Sequence, residues 1–298
     1  MPNLRLGSRG SALAVSQARW VARELTALHP DLHVDFVTIT TTGDRILDRA
    51  LSQVGGKGLF VTEIETALLA GEIDFAVHSL KDVPTEQPEG LVLAAFPPRE
   101  DPRDVLVSRN NRKLADLGPG AVIATGSLRR TAQLRHARPD LQFVPIRGNV
   151  DTRVRKMRLG QADAVVLAAA GLKRLGRAEW IADTLDPEVC LPAAGQGILC
   201  LEARADDAAT RDLLAALDCA TSRLCGDAER AVVAALNGSC QVPLGVLAEA
   251  AESGLSIRAM VSDLPGERLI RASGETPQSV VGKLRNLGAD ALLAECLA

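Results

Sequence analysis

Val122-Ile123-Ala124-Thr125-Gly126-Ser127-Leu128-Arg129-Arg130 decides the fold. A short apolar, largely β-branched run reads as a strand, Gly126-Ser127 as a turn, and the helix opening there carries Arg129 and Arg130. Downstream, residues 143–146 form the next strand, Arg147-Gly148-Asn149 a turn, and residues 152–159 a helix. Gly160-Gln161-Ala162-Asp163 then leads into the apolar run 164–167. The N-terminal part follows the same plan. Residues 4–6 form a strand, Gly7-Ser8-Arg9 a turn, and a helical pattern runs from Ser11 to about residue 28. A strand over 34–40, a Gly-rich stretch over 54–58, a helix over 62–69 and Gly71-Glu72-Ile73-Asp74 before a strand over 74–78 complete it. The shared order predicts two similar α/β domains. In such domains ligands sit beyond the carboxyl ends of strands, where helix N-termini turn their free amides outward. Two domains facing each other would form a cleft able to hold an anion. The segments 97–102 and 192–197, rich in Pro and Gly, read as the hinge and the return. Beyond about residue 220 comes a third unit: a helix near 227–236, strands near 242–248 and 255–261, and a final helix.

Length and composition limit the function. At 298 residues the chain suits two or three domains. Aromatic residues make up 2%, too few for the stacking platforms that hold single-stranded nucleic acid. The N-terminus lacks the apolar run of a signal peptide, and the longest uncharged apolar stretch, 164–172, falls far short of the roughly 20 residues needed to cross a bilayer. A cytoplasmic protein without membrane contact is expected, its six cysteines reduced thiols. No C-x-x-C pair occurs and the four histidines are scattered, so no metal site is expected. Charge is unevenly spread. Residues 121–180 hold twelve Lys and Arg against four acids, a balance of +8, so with a net charge of −3 the remainder carries −11. Such a basic block in an acidic chain points to an anionic ligand.

Several side chains could carry chemistry. Any single Arg reads as an ordinary surface or helix-end cation, but Arg129 and Arg130 at one helix start, with Arg147 and Arg153 around the next Gly turn, read as an anion site. Gly55-Gly56-Lys57-Gly58 lacks the Ser or Thr that a phosphate-binding P-loop needs after its Lys. It reads as a connector or as a lid bearing one cation. In His78-Ser79-Leu80-Lys81-Asp82-Val83-Pro84, Asp82 falls at the carboxyl end of a buried strand. Taken alone, it is a helix cap, a solvated loop residue, or a carboxylate that stabilises positive charge. Cys240 lies in the turn Asn237-Gly238-Ser239-Cys240-Gln241-Val242-Pro243, whereas a lone cysteine is usually a small buried hydrophobe.

Together these segments resemble the hydroxymethylbilane synthase (porphobilinogen deaminase) family along nearly the whole chain. The matching stretches are RGSALA from Arg9, VGGKGLF from Val54, HSLKDVP from His78, REDPRD from Arg99, GSLRR from Gly126, RGNVDTR from Arg147, AGLKRL from Ala170, PAAGQG from Pro192 and GSCQVP from Gly238. The resemblance implies two periplasmic-binding-protein-like α/β domains plus a smaller C-terminal α+β domain. Their expected bounds are 1–98 with 198–216, 103–193, and 220–298. It implies head-to-tail condensation of four porphobilinogen molecules with loss of four ammonia. The product would be linear hydroxymethylbilane, on the route to porphyrins and heme. It implies one dipyrromethane cofactor on Cys240 through a thioether, a bond that suits a thiolate meeting an electrophilic methylene-pyrrole. Asp82 matches the catalytic carboxylate, which would stabilise the cationic azafulvene left by ammonia and handle protons. Lys81, Asp82, Ser127, Arg129, Arg130, Ser11, Lys57, Arg147 and Arg153 match cofactor contacts. Arg9, Ser11, Gln17, Arg147, Arg153 and Arg174 match contacts to substrate, whose acetate and propionate groups give the basic block its purpose. Gly126 and Ala12 depart from the family's usual residues, and neither touches a catalytic role. The resemblance also implies a monomer.

A non-catalytic two-domain anion-binding protein is the alternative. It leaves Cys240 and Asp82 without a task, and the chain shows neither a signal peptide nor a DNA-binding module. Nucleic acid as partner fails on scarce aromatics and the acidic remainder.

Overall fold

The computed structural model describes residues 3–45, 58–238, 242–252 and 254–297. Thirteen strands among them form three sheets. The N-terminal sheet contains β1 (Asn3–Ser8), β2 (His33–Thr38), β3 (Phe75–Ser79), β4 (Leu91–Ala95) and β10 (Leu199–Arg204), in the order β2-β1-β3-β10-β4. Strands β1, β2 and β3 are parallel, and β10 runs antiparallel to both β3 and β4. The second sheet contains β5 (Asp104–Ser108), β6 (Val122–Ala124), β7 (Gln142–Val144), β8 (Ala164–Ala168) and β9 (Asp183–Thr184), in the order β7-β6-β8-β5-β9. Here β6 is parallel to β7 and β8, and β5 is antiparallel to β8 and β9. Position for position the two sheets have one topology, with β5 standing where β10 stands in the first.

The helices follow from their sequences. In α1 (Ala12–Leu28), Ser11 accepts a hydrogen bond from the Ala14 amide at 3.3 Å, a polar N-cap. Ala18, Val21, Ala22 and Leu25 recur at i, i+3, i+4 and i+7, and all are buried. They pack with Leu6, Phe75 and Leu201. Burying a large apolar side chain of this kind contributes about 1.5–3 kcal/mol. Apart from the single helical turn Thr42–Arg45, the remaining α-helices described in the two α/β parts are α2 (Thr62–Leu69), α3 (Leu128–Ala137), α4 (Val150–Lys156), α5 (Ala169–Arg174) and α6 (Ala208–Ala215). The expected helix over 152–159 is α4 followed by a π-turn at Met157–Gln161, where Gly160 has φ +88°.

The C-terminal part is α+β. After α7 (Ala220–Ala235), a meander of β11 (Leu244–Ala251), β12 (Gly254–Ser262) and β13 (Leu269–Gly274) is covered by α8 (Pro277–Asn286) and α9 (Ala289–Leu297). Sequence patterning missed β13 and read α8 and α9 as one helix. Gly288, at φ +94°, separates them in a conformation that other residues rarely adopt. The α/β class with a smaller α+β end is what the fold displays.

Residue contacts divide the chain into two compact units. One comprises 1–47, 56–100 and 197–224, the other 48–55, 101–196 and 225–298. The second sheet and the C-terminal meander therefore share a unit. Within it His136 Nδ1 lies 3.1 Å from the Gly266 carbonyl oxygen, and Arg271 Nη2 donates to the Glu188 carbonyl at 2.8 Å.

Candidate active site

In the first unit, β3 delivers its carboxyl end into a 3-10 turn, Leu80–Asp82. Leu80 is buried and its amide donates to the Ile198 carbonyl at 3.0 Å, fastening the turn to the start of β10. Lys81 is half-buried and Asp82 is exposed. Behind the turn, buried Gln17 donates from Nε2 to Ser79 Oγ at 3.2 Å. His78 Nε2 lies 3.0 Å from Oε2 of the fully buried Glu202. Burial, reinforced by the Glu202 charge, pushes the nearby Glu65 carboxyl up.

Arg9 follows β1 directly. Its guanidinium forks onto Asp44, with Nε at 3.1 Å from Oδ2, and stacks 4.2 Å from the centre of the Phe60 ring. Burial would raise the Asp44 carboxyl, but bonds from Arg9 and Thr41 outweigh it and hold the group low. Ser11 is spent partly on capping α1.

In the second unit, Ser127 caps α3. Arg129 and Arg130, expected as part of an anion site, are 6% and 8% exposed in their side chains. Both reach Asp104, the first residue of β5, which has no exposed surface. Arg129 Nη1 donates to Asp104 Oδ2 at 2.6 Å and to the Leu191 carbonyl at 2.6 Å. Arg130 donates to Oδ1 from Nε at 3.0 Å and Nη2 at 2.7 Å, and from Nη1 to the Val166 carbonyl at 3.0 Å. Gln196 Nε2 and the Cys190 thiol complete the shell, at 2.9 Å from Oδ1 and 3.3 Å from Oδ2. Burial alone would raise Asp104, yet the two guanidinium charges win and hold it far below the usual carboxylate range. Burial and the same carboxylate push the Cys190 thiol up to about 12, so it remains a protonated donor.

Arg147 and Arg153 stand on either side of the Gly148 turn, both half-buried, and Arg153 Nε donates to the Gly148 carbonyl at 2.7 Å. Gly148 has φ +110°, and a Cβ there would come within 2.7 Å of Thr152 Cγ2, so the turn requires Gly. Arg174, half-buried, ends α5. Lys57 and Cys240, with most of the 55–58 loop, lie outside the described residues. Asp104, Asp44 and Phe60 were missed by sequence reasoning. Asp104 did leave a signal, because an acid leading into the apolar run Val105-Leu106-Val107 needs a buried partner.

Two five-stranded sheets of one topology, one ending in an exposed acid and the other backed by two arginines around a buried carboxylate, place the chain among two-sheet α/β proteins. Residues 4–212 match the family model "Porphobilinogen deaminase, dipyromethane cofactor binding domain", and residues 223–290 match "Porphobilinogen deaminase, C-terminal domain". The chain is 54% identical over 274 residues to the porphobilinogen deaminase of Syntrophotalea carbinolica, covering 92% of this chain and 87% of that one. It is 48% identical over 306 residues to that of Chromobacterium violaceum, covering 100% and 99%. Among solved structures, the methionine binding protein MetQ aligns with a TM-score of 0.48 at 14% identity, over 72% of this chain and 89% of its own. The chain belongs to the porphobilinogen deaminase family, transferases that polymerise porphobilinogen in tetrapyrrole and heme biosynthesis. The family's dipyrromethane cofactor fits what is present. Nε and Nη2 of the buried Arg129 have no partner among the described residues, and that edge suits a carboxylate. No described helix is long and apolar enough to cross a membrane.

Proposed function

We propose that this chain makes hydroxymethylbilane from four porphobilinogen molecules, with Asp82 as its catalytic carboxylate and Cys240 as the anchor of the cofactor. The observation that carries this is the turn after β3: it offers an exposed carboxylate, flanked by Lys81, in a chain whose residues 4–212 match the cofactor-binding domain. Dipyrromethane, when bound, supplies a pyrrole terminus to which further units are joined. Asp82 supplies negative charge for the cation that forms when ammonia departs, and accepts or returns the pyrrole proton. Ser11, Lys57, Lys81, Ser127, Arg129, Arg130, Arg147 and Arg153 hold cofactor carboxylates. Arg9, Gln17 and Arg174, with Ser11, Arg147 and Arg153, hold those of the incoming unit. Gln17 acts through its hydrogen bond to Ser79, next to the turn. Three sheets support a three-domain division at 1–98 with 198–216, 103–193, and 220–298. We take the enzyme to be a cytoplasmic monomer.

Intact mass of the denatured protein beside a Cys240→Ser variant tests the reading. Wild type should be heavier than its polypeptide by two porphobilinogen units less two ammonia, and the variant should have the bare mass. A bare wild-type mass that stays bare after incubation with porphobilinogen would overturn it.

A further inference from the structure

Behind the Leu80–Asp82 turn, the first sheet buries two carboxyl groups against one imidazole. In the register of β3 and β10, His78 stands opposite Cys200 and Ala76 opposite Glu202, so these side chains share one sheet face. Ala76 is small, and Glu202 reaches past it on the diagonal to place Oε2 3.0 Å from His78 Nε2. Helix α2 covers the same face, where its Ile64, Ala67 and Leu68 pack with Ala76. It brings with it Glu65, buried like His78 and Glu202. Oε1 of Glu65 and Oε1 of Glu202 are both shut off from solvent, and neither has a hydrogen-bond partner among the described residues. The charged and titratable groups around them are engaged elsewhere. Arg204 of β10 gives its guanidinium to the Leu68 and Ile73 carbonyls and to Asp207. Arg5 of β1 holds Asp74, Glu63 of α2 accepts from the Thr42 amide, and the Cys200 thiol faces the His78 carbonyl. From β4, apolar Leu93 stands opposite Glu202.

Two ionised carboxylates beside one imidazole would be costly in so dry a layer. A hydrogen on one of them removes a charge and supplies the donor that the orphaned oxygens lack. Burial, and then the Glu202 charge, favour that hydrogen on Glu65. We propose that Glu65 is a positioning residue for the reaction: it works as the un-ionised acid, its hydrogen serves Oε1 of Glu202, and the chain Glu65–Glu202–His78 ties α2 and β10 to the strand that delivers Asp82. The inference rests on the role proposed above for Asp82. Its reach is short. His78 stands two residues before Leu80, whose amide is held by the Ile198 carbonyl. With Glu65 un-ionised, Glu202 is held at both oxygens and steadies His78. Ionised Glu65 would instead compete for the same imidazole N–H and repel Glu202, loosening β3 just ahead of the turn. A group that binds its proton more tightly in the folded than in the unfolded chain contributes stability that is complete at low pH and lost as pH rises through the folded-state value. The cluster is therefore firm at neutral pH and weakens in the alkaline range, and the placement of Asp82 weakens with it.

The test compares the full chain, incubated with porphobilinogen, with two variants. Glu65→Gln keeps the shape and a donor but cannot ionise, and Glu65→Leu has no donor. At neutral pH the infrared difference between wild type and Glu65→Gln should show the C=O stretch of an un-ionised carboxylic acid, fading as pH is raised. Glu65→Gln should keep kcat within ~2-fold at neutral pH, since the donor is retained. Its melting temperature and kcat should hold to higher pH than those of wild type. Glu65→Leu should lose kcat by ~10-fold with KM little changed, because Glu65 places a group and does not touch substrate. A role in the fold alone predicts a lower melting temperature in Glu65→Leu and no shift in the alkaline limb of kcat in Glu65→Gln. Absence of the infrared band overturns the proposal. So does a Glu65→Gln variant with the alkaline limb of wild type, or with damage equal to that of Glu65→Leu. A wild type without turnover overturns the reaction and the positioning role with it, and the infrared band tells that failure apart from an ionised Glu65.

Discussion

Asp82 is an exposed carboxylate at the end of a buried strand. Asp82→Asn keeps the shape and removes the charge. Turnover should fall by a factor on the order of 10²–10³, the usual effect of deleting one electrostatic stabiliser, with the fold unchanged by circular dichroism. Near-normal turnover would remove Asp82 from the catalytic role. At this scale the sequence singles out the polar residues of the candidate site and is silent about what holds them. Arg129, Arg130 and Ser127 stand out locally because they are charged or polar at a helix start. Asp104 and Asp44 do not, since each meets its Arg across a long sequence separation that only the folded chain closes.

Strand β10 and the residue before it, Ile198, brace the Leu80–Asp82 turn, and Gly197 stands two residues ahead of the strand. Gly197 has φ +88°, and a Cβ there would come 2.2 Å from the Glu100 carbonyl oxygen. Gly197→Ala therefore needs both a strained backbone and a retreat of residue 100. It should cost ~1–3 kcal/mol or more in a thermal or urea melt, and slow turnover with it. Neutral behaviour would mean that the segment adjusts freely. The same strand shows why parts of the fold were not legible. The parallel strands β1, β3, β6 and β8 lie next to Gly turns and helical patterns and were read from local order. Strands β4, β5, β9 and β10 were not, because their partners are remote: Leu201 pairs with Val77 on one side and Ala95 on the other. Buried Glu202 further breaks the apolar run of β10.

For the molecule as a whole, carboxylates held by arginines set the response to acid. Arg103 donates to both oxygens of Asp101, at 2.9 and 2.8 Å, and holds that carboxyl at about 2. Asp104 is likewise held low. Their folded-state values lie below those of the unfolded chain. The stability they contribute is complete above about pH 4 and is lost as pH falls toward about 2. Melting temperature should be level from about pH 7 to 5 and drop steeply below about pH 4. Asp101→Asn should lower the plateau and flatten the drop. A melting temperature independent of pH down to about 2 would contradict the assignment.

The crossed strand order bears on how the protein is made. The second sheet draws all five strands from residues 104–184. The first has β3 and β4 in place by Ala95, yet the strand between them begins only at Leu199. As the chain leaves the ribosome, β3 and β4 present open edges that can pair with other chains until β10 arrives. Of the two five-stranded sheets, the one begun first is thus completed last, and a chain interrupted before residue 199 would release a finished second sheet tethered to an unfinished, aggregation-prone first.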